Sequence, residues 1–164
     1  MDKTLLRYQY ATECDCDTLF KLYIDPSYGV YFRHVQPYLN MIQFRSIQTK
    51  YGSLMAIYEG RNKIGFSHIS PHPNTGITEI SIILLKHKQG KGYGLQIAKD
   101  LGLYLFKGST DKLLCVTLES DERTNKILKQ AGFTQDCILP ESCIYNNEYQ
   151  NEIRWSLKKG DTPC

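Results

Sequence analysis

Hydrophobic and polar positions recur along this chain with two periods, and the changes of period divide it into elements. Residues 5–10 read as a first strand. Thr12 and Asp15 have the spacing of a helix capping box, and a helix behind them places Cys16, Leu19, Phe20 and Tyr23 on one face until Asp25-Pro26 stops it. Residues 26–36, rich in tyrosine and glycine, read as a loop. Pro37 suits a first helical turn, so a second helix is expected over 37–51, with Gly52 as its terminator. Two strands, 53–59 and 63–70, flank the polar hairpin Gly60-Arg61-Asn62.

After a turn at 71–76, the apolar, β-branched run at 77–85 reads as a buried strand. A glycine-rich turn follows, and then Ile97, Leu101, Tyr104 and Leu105 fall at helical spacing up to Lys107-Gly108. An alternating strand at 112–118 leads to a short helix at 121–131 that buries Thr124, Ile127, Leu128 and Ala131 and closes on Gly132-Phe133. Two last strands are expected at 134–139 and 151–157, with 158–164 as a flexible tail. No repeat or linker divides the chain, so residues 1–164 are expected to form one domain. The order predicts an α/β (α+β) architecture, with helices packed on one central sheet.

Composition narrows the class without changing this picture. At 164 residues, 41% apolar and 12% aromatic, the chain is long enough to bury a real core. No apolar run approaches the roughly 18 residues that span a membrane, and residues 1–4 lack the apolar core of a signal peptide, so a cytoplasmic protein is expected. The net charge of +3 is mild and the positive charges are dispersed, which argues against a nucleic-acid partner. Six cysteines contain no C-x-x-C pair and no histidine pair accompanies Cys14-x-Cys16, so free thiols and no metal site are expected. Cys115 reads as a small core residue.

The candidate chemistry lies between the strand at 77–85 and the helix behind it, in Gln89-Gly90-Lys91-Gly92-Tyr93-Gly94-Leu95. A glycine-rich turn entering a helix leaves backbone N–H groups unpaired at the positive end of the helix dipole. Glycines let the backbone close on a bulky anion, and Lys91 adds a mobile positive charge. The same glycines also suit a tight turn with no ligand; the flanking strand, helix and lysine favour a phosphate cradle. It is not a P-loop, because no hydroxyl follows Lys91, and not a dinucleotide fingerprint, because Leu95 stands where a third glycine is needed.

The pattern Gln-x-x-Gly-x-Gly, met by Gln89, Gly92 and Gly94, resembles the acyl-coenzyme-A pyrophosphate loop of GNAT N-acetyltransferases. The run from Asp121 to Phe133 resembles that family's Asn-x-x-Ala/Ser…Gly-Phe helix, with Asp121 at the usual asparagine and Thr124 at the small residue. Ile64-Gly65 and Asn151-Glu152-Ile153-Arg154 further resemble the ribosomal-protein and spermidine acetyltransferase branch. The resemblance implies a mixed, mostly antiparallel sheet of about seven strands flanked by about four helices. It implies acetyl-CoA as co-substrate, a primary amine as acceptor (a protein N-terminus or a small amine such as a polyamine), and a monomer or homodimer.

Residue by residue, Gly90, Lys91, Gly92, Tyr93, Gly94 and Leu95 would hold the pyrophosphate with Gln89, and Asp121 would help to place the cofactor. Ile82, Ile83 and Leu84 would pair their backbone with the pantetheine arm like an added strand. Glu79, just before the apolar run, is the candidate general base; a surface glutamate at a strand start is the alternative. Many members of the family have a tyrosine acid where this chain has Leu128, which leaves Tyr93, Ser120, Thr124, a water or an unassisted thiolate. Lys126 and Lys129 fit either a cofactor phosphate or a solvated helix face. Tyr28, Tyr31, Arg33, His34 and Tyr145 are candidates for the acceptor pocket, with the acidic group Glu13, Asp15 and Asp17 to be placed by the fold. The missing acid keeps a second reading open, a non-catalytic acyl-CoA-binding or regulatory module.

Overall fold

The computed structural model describes residues 5–35, 39–50 and 53–161. Its period-two stretches form one sheet. The strands β1 (Leu6–Tyr10), β2 (Ser53–Glu59), β3 (Asn62–Pro71), β4 (Ile77–Leu84), β5 (Lys112–Leu118), β6 (Thr134–Tyr145) and β7 (Glu148–Lys158) lie in the order β1-β2-β3-β4-β5-β7-β6. All neighbouring pairs are antiparallel except β4 and β5. Among the described residues the α-helices are α1 (Glu13–Tyr23), α2 (Met41–Lys50), α3 (Tyr93–Leu105) and α4 (Glu122–Gln130). The expected mixed, mostly antiparallel seven-stranded sheet with four helices is therefore the observed fold.

Helices cover both faces because the strands alternate apolar side chains to both. On one face Ile80, Ile97, Leu101, Leu113, Leu128 and Trp155 form a core under α3 and α4. On the other, Cys16, Leu19, Phe44, Ala56, Phe66 and Ile83 form a core under α1 and α2. Alternation along β4 sends Ile80 to the first core and Ile83 to the second. Glu79 and Ser81 share the parity of Ile83 and are exposed.

Several boundaries differ from the sequence reading, each for a local reason. The capping box at α1 is present, with Thr12 and Asp15 bonded reciprocally; this also buries Asp15, while Phe20 and Tyr23 are only half-buried. The expected loop at 26–36 contains a 3₁₀ helix, Pro26–Phe32, started by Pro26 and capped by the Asp25 carboxylate on the Ser27 N–H at 2.9 Å. The second helix begins at Met41, behind a reciprocal pair of 3.0 Å bonds between Asn40 and Gln43. Pro37, its expected start, and Gly52, its expected terminator, lie outside the described residues.

In α3, Ile97 and Leu101 are buried as expected, but Tyr104 is exposed. In α4, Asn125 is buried with Leu128, while Thr124 and Ile127 are half-buried and face a cavity. The last two strands are longer than expected. They form a hairpin around Asn146-Asn147, whose positive φ values of 54° and 62° match the tight turn favoured between twisted strands. Lys158 ends β7, and the Lys159 N–H donates to the Asp111 carbonyl at 2.9 Å, so the expected tail is tied down where it begins.

Candidate active site

The site exists because β4 is shared unequally between its neighbours. It pairs with β3 from Thr78 to Leu84, but with β5 only from Ile77 to Glu79. β5 in turn pairs with β7 along its whole length, from Lys112 to Leu118. Each strand follows its outer partner, so the two part beyond Glu79 and Leu114. The fork encloses a cavity of about 270 Å³ walled by Ser81–84 on one side and Cys115–118 on the other. Asp121, Thr124 and Leu128 of the α4 region and Val30, Tyr31 and Arg33 complete its lining. Along the fork, β5 offers β4 no ladder partners, which leaves an edge able to bond an extended ligand.

The glycine loop lies at the open end of this fork. Gly90 and Gly92 have φ of 79° and 83°, values that side chains rarely tolerate, and Gly92 is the N-cap of α3. A Cβ placed on Gly92 would meet nothing within 4 Å, so the space in front of the helix N-terminus is open to a bulky anion. Gly94 is needed for packing instead, since a Cβ there would come within 3.3 Å of Ile127. Gln89 lines the cavity and its side-chain amide donates to the Leu84 carbonyl at 3.1 Å, which fixes the strand end beneath the loop. The backbone donors, the dipole and the room all fit a pyrophosphate.

Of the expected cofactor residues, Ile82, Ile83, Leu84, Gln89, Gly94 and Asp121 line the cavity, while Gly90, Lys91 and Gly92, between the lining residues Gln89 and Gly94, are exposed and do not line it. Leu95 packs on the main core, and the buried Tyr93 ring turns away, its hydroxyl donating to Glu59. Asp121 caps α4 by accepting the Thr124 N–H at 3.0 Å. Lys126 is exposed, and the Lys129 ammonium sits 5.7 Å from the Trp155 ring centroid; neither lines the cavity.

Glu79 marks the apex of the fork, on its last paired register. Its carboxylate is half-exposed, 3.8 Å from the His72 ring, and is not among the cavity-lining residues. Next to it, burial pushes the Cys115 thiol up to about 12, with the Glu79 charge adding to the effect. Cys115 is therefore part of the cavity wall rather than only core, and it stays a thiol. Leu128, 3% exposed, is both core and cavity wall, and has no proton to give. Among the residues considered in its place, Thr124 lines the cavity, Ser120 is exposed outside it and Tyr93 is committed to Glu59.

The acceptor candidates divide in a way the sequence does not show. Tyr31 and Arg33 line the cavity, whereas the buried Tyr28 accepts the Lys86 N–H at 2.7 Å and is structural. Tyr145 packs near Gly29, where an added Cβ would lie 3.5 Å from its ring. Arg33 donates to Glu152 at 2.7 Å, to Val30 O at 2.7 Å and to Val116 O at 3.2 Å. Glu152 also bonds His34 and Ser142, both at 2.8 Å. Burial alone would raise the Glu152 carboxyl, but bonds from His34, Ser142 and Arg33 outweigh it and hold it below its ordinary range. Of the acidic group on α1, Asp15 is neutralised by Lys63 at 2.5 Å and Asp17 by Arg45, while Glu13 stays exposed, 3.9 Å from Arg45.

Two residues matter here that the sequence did not single out for a role. Arg123 lines the cavity, and its guanidinium would lie 3.5 Å from a Cβ placed on Gly90, which sets a second cation beside the loop. Its signal was position alone, two residues after a helix cap. Glu152 was visible only within a resemblance; two of its three partners, Arg33 and His34, lie more than a hundred residues away in sequence. Among the described residues, no group of three or more His, Cys, Asp or Glu side chains is placed to hold a metal ion. No helix among them is long and apolar enough to cross a membrane.

Comparison with known proteins bears on what such a site does. The sequence profile of the acetyltransferase (GNAT) domain matches residues 5–134. No curated protein sequence matches the chain. Among solved structures, spermidine N-acetyltransferase from Vibrio cholerae, in complex with CoA and spermine, superposes with a TM-score of 0.87 at 17% identity, over 97% of this chain and 98% of that one. Ribosomal L7/L12 alpha-N-protein acetyltransferase, in complex with coenzyme A, superposes with a TM-score of 0.78 at 15% identity, over 95% of each chain.

Proposed function

Because the chain belongs to the acetyltransferase (GNAT) domain family, we propose that the fork between β4 and β5 is where acetyl-CoA meets the amine, with Glu79 as proton acceptor. The protein is an acetyl-CoA-dependent N-acetyltransferase, and the fork with its glycine loop is the observation that carries the residue roles. Bound acetyl-CoA supplies the activated acetyl group. The N–H groups around Gly90 to Gly94 hold its pyrophosphate, with Arg123 and Lys91 balancing the charge. The backbone of Ile82 to Leu84 pairs with the extended arm, and a backbone N–H there donates to the thioester oxygen.

Glu79, at the narrow end of the fork, takes the amine proton directly or through water. Glu152 is the other carboxylate near the acceptor end, but its three partners stabilise the ionised form, so it positions Arg33 and His34 rather than accepting a proton. Leu128 assigns no side-chain acid to the leaving thiolate. Its departure relies on the low basicity of a thiolate or on Thr124.

The acceptor class follows from charge. Arg33 and Arg123 line the cavity, and Asp121, engaged as a helix cap, is the one carboxylate among its described lining residues. A polyamine would bring several positive charges to a site where Glu79 is the one carboxylate left for them, since Asp121 is engaged as a cap. This favours a single amine, such as a protein N-terminus, over spermidine-like substrates. We place the protein in the cytoplasm as one catalytic unit of residues 1–164, monomer or homodimer; the unpaired thiols of Cys14, Cys16, Cys115, Cys137 and Cys143 suit that compartment.

The test is free-thiol release from acetyl-CoA across a panel of peptides and polyamines. Turnover with peptide N-termini and weak turnover with polyamines is expected. A reversed preference overturns the acceptor assignment. Thermal stabilisation by acetyl-CoA with no thiol release for any amine would make the protein a binding module, the reading that Leu128 keeps open.

A further inference from the structure

The two ends of the glycine loop are held by one carboxylate on a distant strand. Glu59 is the last residue of β2, and each of its oxygens takes a different partner. Oε2 accepts from the Lys88 ammonium at 2.8 Å, just before the loop. Oε1 accepts from the Tyr93 hydroxyl, just after it. Between these anchors lie Gln89, Gly90, Lys91 and Gly92, where Gly90 and Gly92 sit at positive φ. Such a segment is the most flexible kind of chain, and ordering it on ligand binding costs conformational entropy.

The three side chains are more deeply covered than ordinary surface ion pairs. Lys88 is 14% exposed and Glu59 29% exposed, and Tyr93 is buried. Bonds from Lys88 and Tyr93 hold the Glu59 carboxyl below its ordinary range, and the same bonds raise Lys88 and Tyr93. The Lys88 ammonium also sits 5.8 Å from the Tyr93 ring centroid, so the two anchors touch each other as well as their shared acceptor. None of the three lines the cavity.

We infer that Glu59 is a positioning residue for acetyl-CoA, a staple that sets the loop in its phosphate-binding shape before the ligand arrives. This rests on the loop being the pyrophosphate cradle. Preorganisation of this kind shows in affinity, because the ordering cost is met in the free protein. It acts on the pyrophosphate end alone, well away from the reacting atoms at the apex of the fork.

The experiment compares two acetyl donors, acetyl-CoA and S-acetylpantetheine, which has the arm but no pyrophosphate. For Glu59→Ala, KM for acetyl-CoA should rise about tenfold with kcat within about twofold of the wild type, while KM for S-acetylpantetheine stays unchanged. Tyr93→Phe removes one anchor and should give a smaller rise of the same kind, which keeps the test available if Glu59→Ala does not fold. Asp136→Asn, which breaks the exposed pair with Lys112, should leave both KM values alone. An unchanged acetyl-CoA KM in a folded Glu59→Ala or Tyr93→Phe protein overturns the inference, as does an equal rise for both donors, which would mean general loosening. Absence of acetyl-CoA binding by the wild type would instead remove the cradle itself.

Discussion

The two ends of the cavity are built from opposite materials. The proposed cofactor end is mostly backbone: glycines at positive φ, a helix N-terminus and an open space in front of Gly92. The proposed acceptor end is side chain on side chain: Arg33, which lines the cavity, is held with His34, Ser142 and Glu152 in one cluster whose members satisfy one another. One end is poised with unused donors for a polyanion, and the other has spent its charges internally. Affinity for acetyl-CoA should therefore depend on loop shape, and the acceptor end should answer first through stability. Glu79 lies at the apex of the fork, where the strands part.

The largest effect expected is at that junction. Glu79→Gln should lower turnover by roughly 10²–10⁴-fold with acetyl-CoA binding barely changed, since the amide keeps the shape but takes no proton. The defect should shrink at high pH, where more of the amine arrives neutral, and should be smaller for an α-amine with a pKa near 8 than for a lysine-like amine near 10. A rate within about threefold of the wild type from pH 6 to 9 would remove Glu79 from the mechanism and make the comparison one of two ends with no chemistry assigned at the apex.

Next comes the acceptor end. Arg33→Met leaves Glu152 buried against only His34 and Ser142, and should cost about 3–5 kcal/mol in denaturant unfolding. Adding Glu152→Gln should recover much of that loss. Full additivity of the two substitutions would mean that the cluster is not a coupled unit.

At the cofactor end, acetyl-CoA a hundredfold above its dissociation constant should stabilise the wild type by about 2.7 kcal/mol in thermal unfolding. Gly92→Asp should abolish that shift by straining the φ of 83° and placing a negative charge where the pyrophosphate sits. If the wild type shows no shift at millimolar acetyl-CoA, the cradle assignment fails.

The smallest effect is the pH signature of Glu152. Its folded carboxyl is held below the ordinary value of 4.5, so its contribution is complete above that pH and is lost as pH falls through the lower folded value. The stability gap between wild type and Glu152→Gln should narrow on acidification, by no more than about 1.4 kcal/mol per pH unit. A gap that stays constant from pH 7 to 3 would show that Glu152 has no titrating role in the fold.

What the sequence disclosed divides along the same line. The sheet, the four helices and the loop were legible because each is local: a period, a cap, or glycines before a helix. Even the Asn146-Asn147 hairpin and the Asn40-Gln43 cap were local signals, passed over in favour of Pro37 and a shorter pair of strands. The acceptor end was not legible, because Glu152 meets Arg33 and His34 only after the sheet has brought β7 beside β5. Tyr28, Tyr31 and Arg33 looked equivalent in a tyrosine-rich stretch; the 3₁₀ turn sends Tyr28 to a backbone amide and leaves the other two on the cavity. Asp15 looked like part of an acidic patch, and a lysine from β3 covers it.

The fork has a cost outside catalysis. Where β4 and β5 part, the sheet carries two internal edges as well as its outer ones at β1 and β6. Sheet edges recruit foreign strands, and proteins guard the outer ones with charge, bulges and proline. Pro140 and the φ of 49° at Glu141 are guards of that kind on β6. On the inner edges Arg33 covers the Val116 carbonyl of β5, whereas Ile82 and Ile83 of β4 have no such guard, and an arm laid along them would seal them. Stock protein freed of its acyl donor should clump sooner on gentle warming than the same protein stored with coenzyme A.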